Sequence, residues 1–110
     1  MPAQLSFADF LKSTAAGSAT RATASAAPPD GLSRPLQALW HDRRGQWEEA
    51  HTLAQESPGP DGAWVHAYLH RREGDEMNAG YWYARAGRPA PAGDLPTEWE
   101  QIAKALLDTG

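Results

Sequence analysis

Cysteine is absent from the 110 residues. That single absence removes disulfide staples, thiolate zinc sites and cysteine nucleophiles together. Valine and isoleucine occur once each, at Val65 and Ile102, and no segment alternates apolar and polar residues, so strands are not expected. No apolar run approaches the roughly 20 residues of a membrane span. The 10 Lys and Arg are outnumbered by 14 Asp and Glu, for a net charge of −4. Both signs are interspersed, whereas nucleic acid calls for a basic face. A phosphate loop, a dinucleotide fingerprint and a nucleophile elbow are all missing, and no spacing of Ser, His and Asp nominates a triad. The expectation is a chain with no membrane or nucleic-acid partner that is not an enzyme. The leading "MPAQLSFADFLKSTAAG" has Asp9 and Lys12 inside its one apolar patch and no basic residue before it. It makes a poor secretory signal, and a cytoplasmic protein is the default.

Aromatic residues are plentiful: five Trp, three Tyr and two Phe, each ring able to bury about 150–250 Å². They supply the core of one small domain, since the length hardly suffices for two. Residues 12 to 31, "KSTAAGSATRATASAAPPDG", are low-complexity Ala, Ser and Thr closed by a turn signal. They read as a linker with the domain boundary near Gly31. Residues 1–30 are therefore expected to form a flexible N-terminal arm and 31–110 the domain. Within the arm, "LSFADFL" at 5–11 is a short amphipathic segment, too short to be helical alone in water. Phe7 and Phe10 would dock it onto the domain, a second copy or a partner.

Beyond the boundary the chain reads as helices with short breaks. "SRPLQALWHDRRG" has Pro35 near its start, where a missing N–H costs nothing, and ends at Gly45. "QWEEAHTLAQES" aligns Trp47, Ala50, Leu53 and Ala54 on one stripe. "SPGPDG" reads as a break, and a third helix is predicted from Ala63 to Glu73, stopping at Gly74. Asp75 suits the N-cap of a fourth, Glu76 to Ala86. Thr97-Glu98-Trp99-Glu100 fits a capping box that opens a last helix, with Trp99, Ile102, Ala103, Leu106 and Leu107 on its apolar side.

Two segments echo each other at an offset of 29 residues: "LWHDRRGQWEEAHTLA" from Leu39 and "YLHRREGDEMNAGYWY" from Tyr68. His41 meets His70, Arg43 meets Arg72, Gly45 meets Gly74 and Ala50 meets Ala79. A glycine at the same point between two helical patterns suggests one hairpin built twice, and such units bury their apolar faces only by stacking. On Ala67, Gly74-Asp75, Ala79, Tyr83, Ala86 and Pro91, the second hairpin resembles a tetratricopeptide or Sel1-like helical repeat. The run Trp-Val-His-Ala-Tyr-Leu-His also resembles short uncharacterised bacterial proteins, a likeness spanning residues 36 to 107 that brings no activity with it. The repeat resemblance implies antiparallel helical hairpins, about two, closed by a C-terminal capping helix around Trp99.

His66 and His70 stand four residues apart with Glu73 one step further, so the three share one helical face. Two imidazoles and a carboxylate suit Zn, Ni, Cu or non-haem Fe, and His41 and His51 are available to complete such a site. The metalloprotease version needs Glu directly after the first His, where Ala67 stands. The simpler explanation is a set of hydrogen-bonded histidines between helices, which the echo of His70 in His41 favours. Arg71, Arg72 and Arg85 either complement helix dipoles and nearby acids or present forks to an acidic peptide or small anion, with Arg88 close by. Consecutive residues on a helix diverge by about 100°, so Tyr81, Trp82 and Tyr83 cannot share a face. Tyr83 and Trp82 read as core, and Tyr81 joins Met77 on a second strip.

The favoured expectation is an all-α, TPR-like repeat domain that binds a protein, a peptide or a second copy of itself, with no cofactor. Arg71, Arg72, Tyr81, Arg85, Phe7 and Phe10 are its candidate contact residues. The alternative is a metal-binding or metal-sensing protein using His66, His70 and Glu73 with Zn, Ni or Cu.

Overall fold

Helix starts in this chain are set by short polar side chains and by prolines that need no hydrogen-bond acceptor. The structure, a computed structural model, describes residues 6–14, 28–29 and 31–109. Its helices are α1 (Phe7–Ser13), α2 (Arg34–Arg43), α3 (Trp47–Glu56), α4 (Gly59–Arg72), α5 (Glu76–Ala86) and α6 (Leu95–Thr109). No strand occurs among the described residues, and no helix among them is long and apolar enough to cross a membrane. Ser6, Ser33 and Asp75 cap α1, α2 and α5 by accepting from the backbone N–H three residues on.

Two helices begin earlier than the sequence predicts, for one reason. Pro60 and Pro96 fall in the first turns of α4 and α6, where their missing N–H groups would have had no intrahelical partner. The "SPGPDG" stretch is therefore not a break throughout: α4 starts at Gly59. Thr97 is not the cap of α6. Asp94 takes that part, accepting from Thr97 N at 3.0 Å, and Glu100 pairs with Lys104 at 2.8 Å instead.

Helices α2 and α3 pack on each other, as do α4 and α5. The two connecting turns share their closing hydrogen bonds at the offset of 29. Gly45 and Gly74 hold φ of 81° and 90°, and Gln46 N donates to His41 O as Asp75 N donates to His70 O, both at 2.9 Å. A left-handed residue that returns the next N–H to a carbonyl five back closes each helix end.

Helix α4 sits in the middle. It touches α2, α3, α5 and α6, and every residue from Gly62 to His70 is buried. Trp40, Leu39, Ile102, Ala103 and Val65 are fully enclosed around it. Three tryptophans tie helices together by donating Nε1–H to main-chain carbonyls: Trp99 to Leu39, Trp47 to Leu69 and Trp40 to Ser13, at 3.1, 3.1 and 3.2 Å.

The last of those bonds brings α1 onto the domain, the first of the three dockings expected for residues 5–11. Helix α1 belongs to the folded body: Phe10 is completely buried and stacks on Trp99 at 5.7 Å, with Phe7 edge-on to the same ring at 6.2 Å. The indoles of Trp40 and Trp99 need a carbonyl and an apolar cover, and α1 supplies both. Phe10 is thus not exposed to a partner. The rest of the expected arm, residues 1–5 and 15–27, lies outside the described residues.

Gly62 marks the tightest approach. A Cβ there would lie 2.2 Å from the carbonyl oxygen of Ser57, while one at Gly80 on α5 would meet nothing within 4 Å. Backbone cannot rotate away as a side chain can. Gly62→Ala is therefore expected to destabilise the protein by about 3 kcal/mol, the upper part of the usual overpacking range. Gly80→Ala is expected to stabilise by about 0.5–1 kcal/mol by removing glycine from a helix interior. Urea midpoints of the two variants should move in opposite directions; a shift of the same sign in both would contradict this placement of α4.

Candidate metal centre

His66 and His70 lie on α4 with the four-residue spacing that stacks side chains along one face, and their rings are 4.9 Å apart at 24°. Both are buried, at 5% and 8% exposure. The face they share is turned to α3, and there His51 meets them. His51 Nε2 is 3.0 Å from His66 Nε2, and the His51 ring centroid is 4.7 Å from that of His66 and 5.1 Å from that of His70. One nitrogen from each of the three lies within 4.8 Å of the others.

Two tryptophans fix the rings. Trp47, one turn before His51 on α3, stacks on it at 4.7 Å and 13° and meets His70 edge-on at 6.2 Å. Trp82 of α5 stacks on His66 at 4.0 Å and 19°. The Trp47 indole is itself anchored by its bond to Leu69 O. Glu73 holds the third ring: His70 Nδ1 donates to Glu73 Oε1 at 2.8 Å, so Nε2 is the nitrogen turned away from the carboxylate.

Electrostatics keep the pair at the centre of the cluster uncharged. Burial lowers the pKa of His66 to about 4, and the neighbouring His51 and His70 push it the same way. His51 is lowered by burial and by His70, with Glu73 opposing. A neutral imidazole has one donor and one acceptor nitrogen. The 3.0 Å contact is therefore an N–H···N hydrogen bond in which one Nε2 donates to the other.

The donor set fits a borderline transition metal. Two nitrogens bound to tetrahedral zinc at about 2.0–2.1 Å stand roughly 3.3 Å apart, close to the spacing already present. Neutral imidazole suits Zn, Cu and Ni, and a ligating histidine typically gives its other N–H to a carboxylate, as His70 does to Glu73. When bound, such an ion would act as a Lewis acid or as a cross-link between α3 and α4.

The predicted residues sort out as follows. His66 and His70 come together as expected, but Glu73 does not join them as a ligand; its oxygen is used on His70 Nδ1. His41 is in neither group of candidate ligands among the described residues, and its Nδ1 bonds Gln46 Oε1 at 2.8 Å. Its echo of His70 is thus an echo of position rather than of surroundings. Of the candidate contact arginines, two are already engaged. Arg71 bonds Glu98 Oε1 at 2.7 Å and also Gly93 O, and Arg72 Nε is 3.2 Å from the buried Asp42. Tyr83 OH also donates to Glu98, and Tyr68 OH donates to Asp42 at 3.3 Å. Arg71 and Arg72 therefore neutralise internal acids and are not free forks. Arg85 has no acidic partner among the described residues; it lies 5.8 Å from the Tyr81 ring centroid and 5.5 Å from that of Trp82. Met77 and Tyr81 are 87% and 55% exposed.

The sequence alone missed the ring walls Trp47 and Trp82 and the buried acids Asp42 and Glu98. The one available signal was the i, i+4 spacing of Trp47 and His51. A scan against protein-family models finds no match, and comparisons with curated proteins and with solved structures find none either.

The lowered His66 pKa has a definite sign for stability. Below pH 6.5 the unfolded chain takes up a proton that native His66 refuses until about pH 4. Stability is then complete above pH 6.5 and is lost as pH falls towards 4, by about 2 kcal/mol between pH 7 and pH 5 from this group. Urea unfolding of the metal-free protein at those two pH values should show that loss, and His66→Gln should flatten the slope. An equally steep slope in the variant would contradict the assignment.

Proposed function

We propose that this chain is a transition-metal-binding protein whose ligands are His51, His66 and His70, with Glu73 orienting His70. The observation that supports it is the convergence of three imidazoles from two helices, with 3.0 Å between two of their Nε2 atoms. Hydrogen-bonded histidines need only pairs. A third ring held by its own carboxylate is the arrangement that coordination asks for, and each of the other two rings is stacked on an indole. With no thiolate in the chain, the ion is Zn, Cu or Ni held by nitrogen, and three protein ligands leave a position open to exchange. Because the ligands belong to α3 and α4, a bound ion stabilises their packing, which suits a sensor as well as a store.

Calorimetric titration of purified metal-free protein with zinc, copper and nickel tests this directly. One-to-one binding is expected, with a stabilisation of about 2.7 kcal/mol when free metal is one hundred times Kd. Glu73→Gln should weaken binding by roughly 10–100-fold, and His66→Ala with His70→Ala should abolish it. Affinity that survives the double substitution would end the proposal.

A second reading, an interaction module of TPR-like hairpins, is favoured by the similar turns at Gly45 and Gly74 and by the exposed Met77 and Tyr81 of α5. Its partner would be a protein, a peptide or another copy. Light scattering and capture from the native cell, with wild type and with Met77→Ser plus Tyr81→Ser, separate it from the first. A monomer that captures nothing in either form counts against it.

A further inference from the structure

Beside the histidine cluster a cavity of about 340 Å³ opens between the α3–α4 turn and α5. His66 and Trp82 form part of its wall, so the cavity and the cluster share two side chains. Its volume sits at the lower end of small-molecule pockets. Much of the lining is apolar or small, with Ala54, Pro58, Pro60 and Ala63 among the contributors. No acidic residue lines it, and Arg85 is its one permanently charged side chain.

Two features favour a negative ligand. Arg85 is unpaired among the described residues, held only by a 3.5 Å bond to Tyr81 OH and by the rings of Tyr81 and Trp82. Arg71 and Arg72, by contrast, are neutralised internally. The first turn of α4 has no side-chain cap, and its Gly59 is the one residue among Pro58, Gly59 and Pro60 of the lining that has a backbone N–H, at the positive end of the helix dipole. Asp61 in that turn is exposed and is not part of the lining. The wall is also rigid. Ser57 Oγ donates to Leu53 O at 3.0 Å, the prolines restrict the backbone, and Gly62 is seated against Ser57. A preformed wall lowers the ordering cost of binding.

We infer that this cavity is the ligand pocket of the histidine centre, and that it takes a small organic carboxylate with an apolar body, Arg85 pairing with the carboxylate. The inference rests on the metal-binding reading above. A monocarboxylate is the right size of charge: one guanidinium faces it, and a metal on His66 adds positive charge from the side that the cavity and the cluster share. A guanidinium–carboxylate pair is charge-assisted and directional, which sets the ligand's orientation, while the alanine, proline and indole surfaces select its apolar end.

The probe is 3-phenylpropanoate, with 3-phenylpropanamide as the uncharged control, added to the full chain in metal-free and zinc-loaded form. Zinc binding is titrated separately beforehand. Binding is read by calorimetry and by the NMR shift of the Trp82 indole N–H. The zinc-loaded protein should bind the carboxylate with Kd on the order of 1 mM, the scale expected of so small a ligand. It should bind about tenfold more tightly than the metal-free form. Arg85→Gln should weaken binding at least tenfold, Arg85→Lys should restore part of it, and the amide should not bind. Full zinc binding with no response to the carboxylate overturns this inference and leaves the metal centre standing. Carboxylate binding that is unchanged by Arg85→Gln, or equal in both metal states, overturns it as well. Failure of the zinc titration sinks the centre and this pocket assignment together, and that result is visible before any carboxylate is added.

Discussion

Helix α4 is enclosed on every side, and the rest of the molecule answers to that enclosure. From Gly62 to His70 every residue is buried, yet the run includes two histidines and a tyrosine, and two arginines follow it. A helix buried all round is normally apolar all round. Here the polar groups must find protein partners, because an unsatisfied buried group costs about 1–3 kcal/mol. Three of the four neighbouring helices supply one: α2 gives Asp42 to Tyr68 and Arg72, α6 gives Glu98 to Arg71, and α3 gives His51 to His66. The polar side chains of α4 therefore fix which helices surround it and at what height.

The two carboxylates show how this works as specificity. Asp42 and Glu98 are each 2% exposed, and each meets one arginine and one tyrosine. For Asp42, burial outweighs the nearby cations and raises its pKa. Pairs of this kind contribute little net stability, but leaving one member unpaired is severe, on the order of 3–5 kcal/mol. Their effect is to exclude alternative packings of α6 and α2 against α4. That is why Arg71 and Arg72, which look in the sequence like an anion-binding fork, are paired with buried acids, and why Arg85, one helix further on, keeps its charge available.

What could be read in the sequence was what is local. The turns at Gly45 and Gly74, the cap at Asp75 and the all-helical class follow from neighbours a few residues apart, and the structure has them. The starts of α4 and α6 were misjudged because proline signals both a break and a first turn, and only packing decides between the two. For Phe10 the sequence offers docking onto the domain, a second copy or a partner, and cannot choose among them, because the choice depends on Trp99, on the far side of the sequence, needing a cover. For the candidate centre, the His66–His70 face was legible from spacing alone. The third member was legible only as His41 or His51, since nothing along the chain ties one rather than the other to α4.

The contact of His51 with α4 also bears on what the cluster is for. Three imidazoles gathered in a buried place are not a low-energy way to fill space: polar rings must be desolvated, and His66 resists protonation across the physiological range. An apolar residue at position 66 would fill the gap between Trp82 and α3 without that cost. The hydrogen bond between His51 and His66 satisfies one nitrogen of each ring but locks one tautomer of the pair, and His70 contributes to it only by proximity. A cation with nitrogen ligands would relieve that frustration. It would accept a lone pair from all three rings, would require the neutral form that burial favours for His51 and His66, and would use the nitrogen of His70 left free by the bond of its Nδ1 to Glu73. Trp47 and Trp82, stacked on His51 and His66, hold those two rings in orientation without offering a competing acceptor.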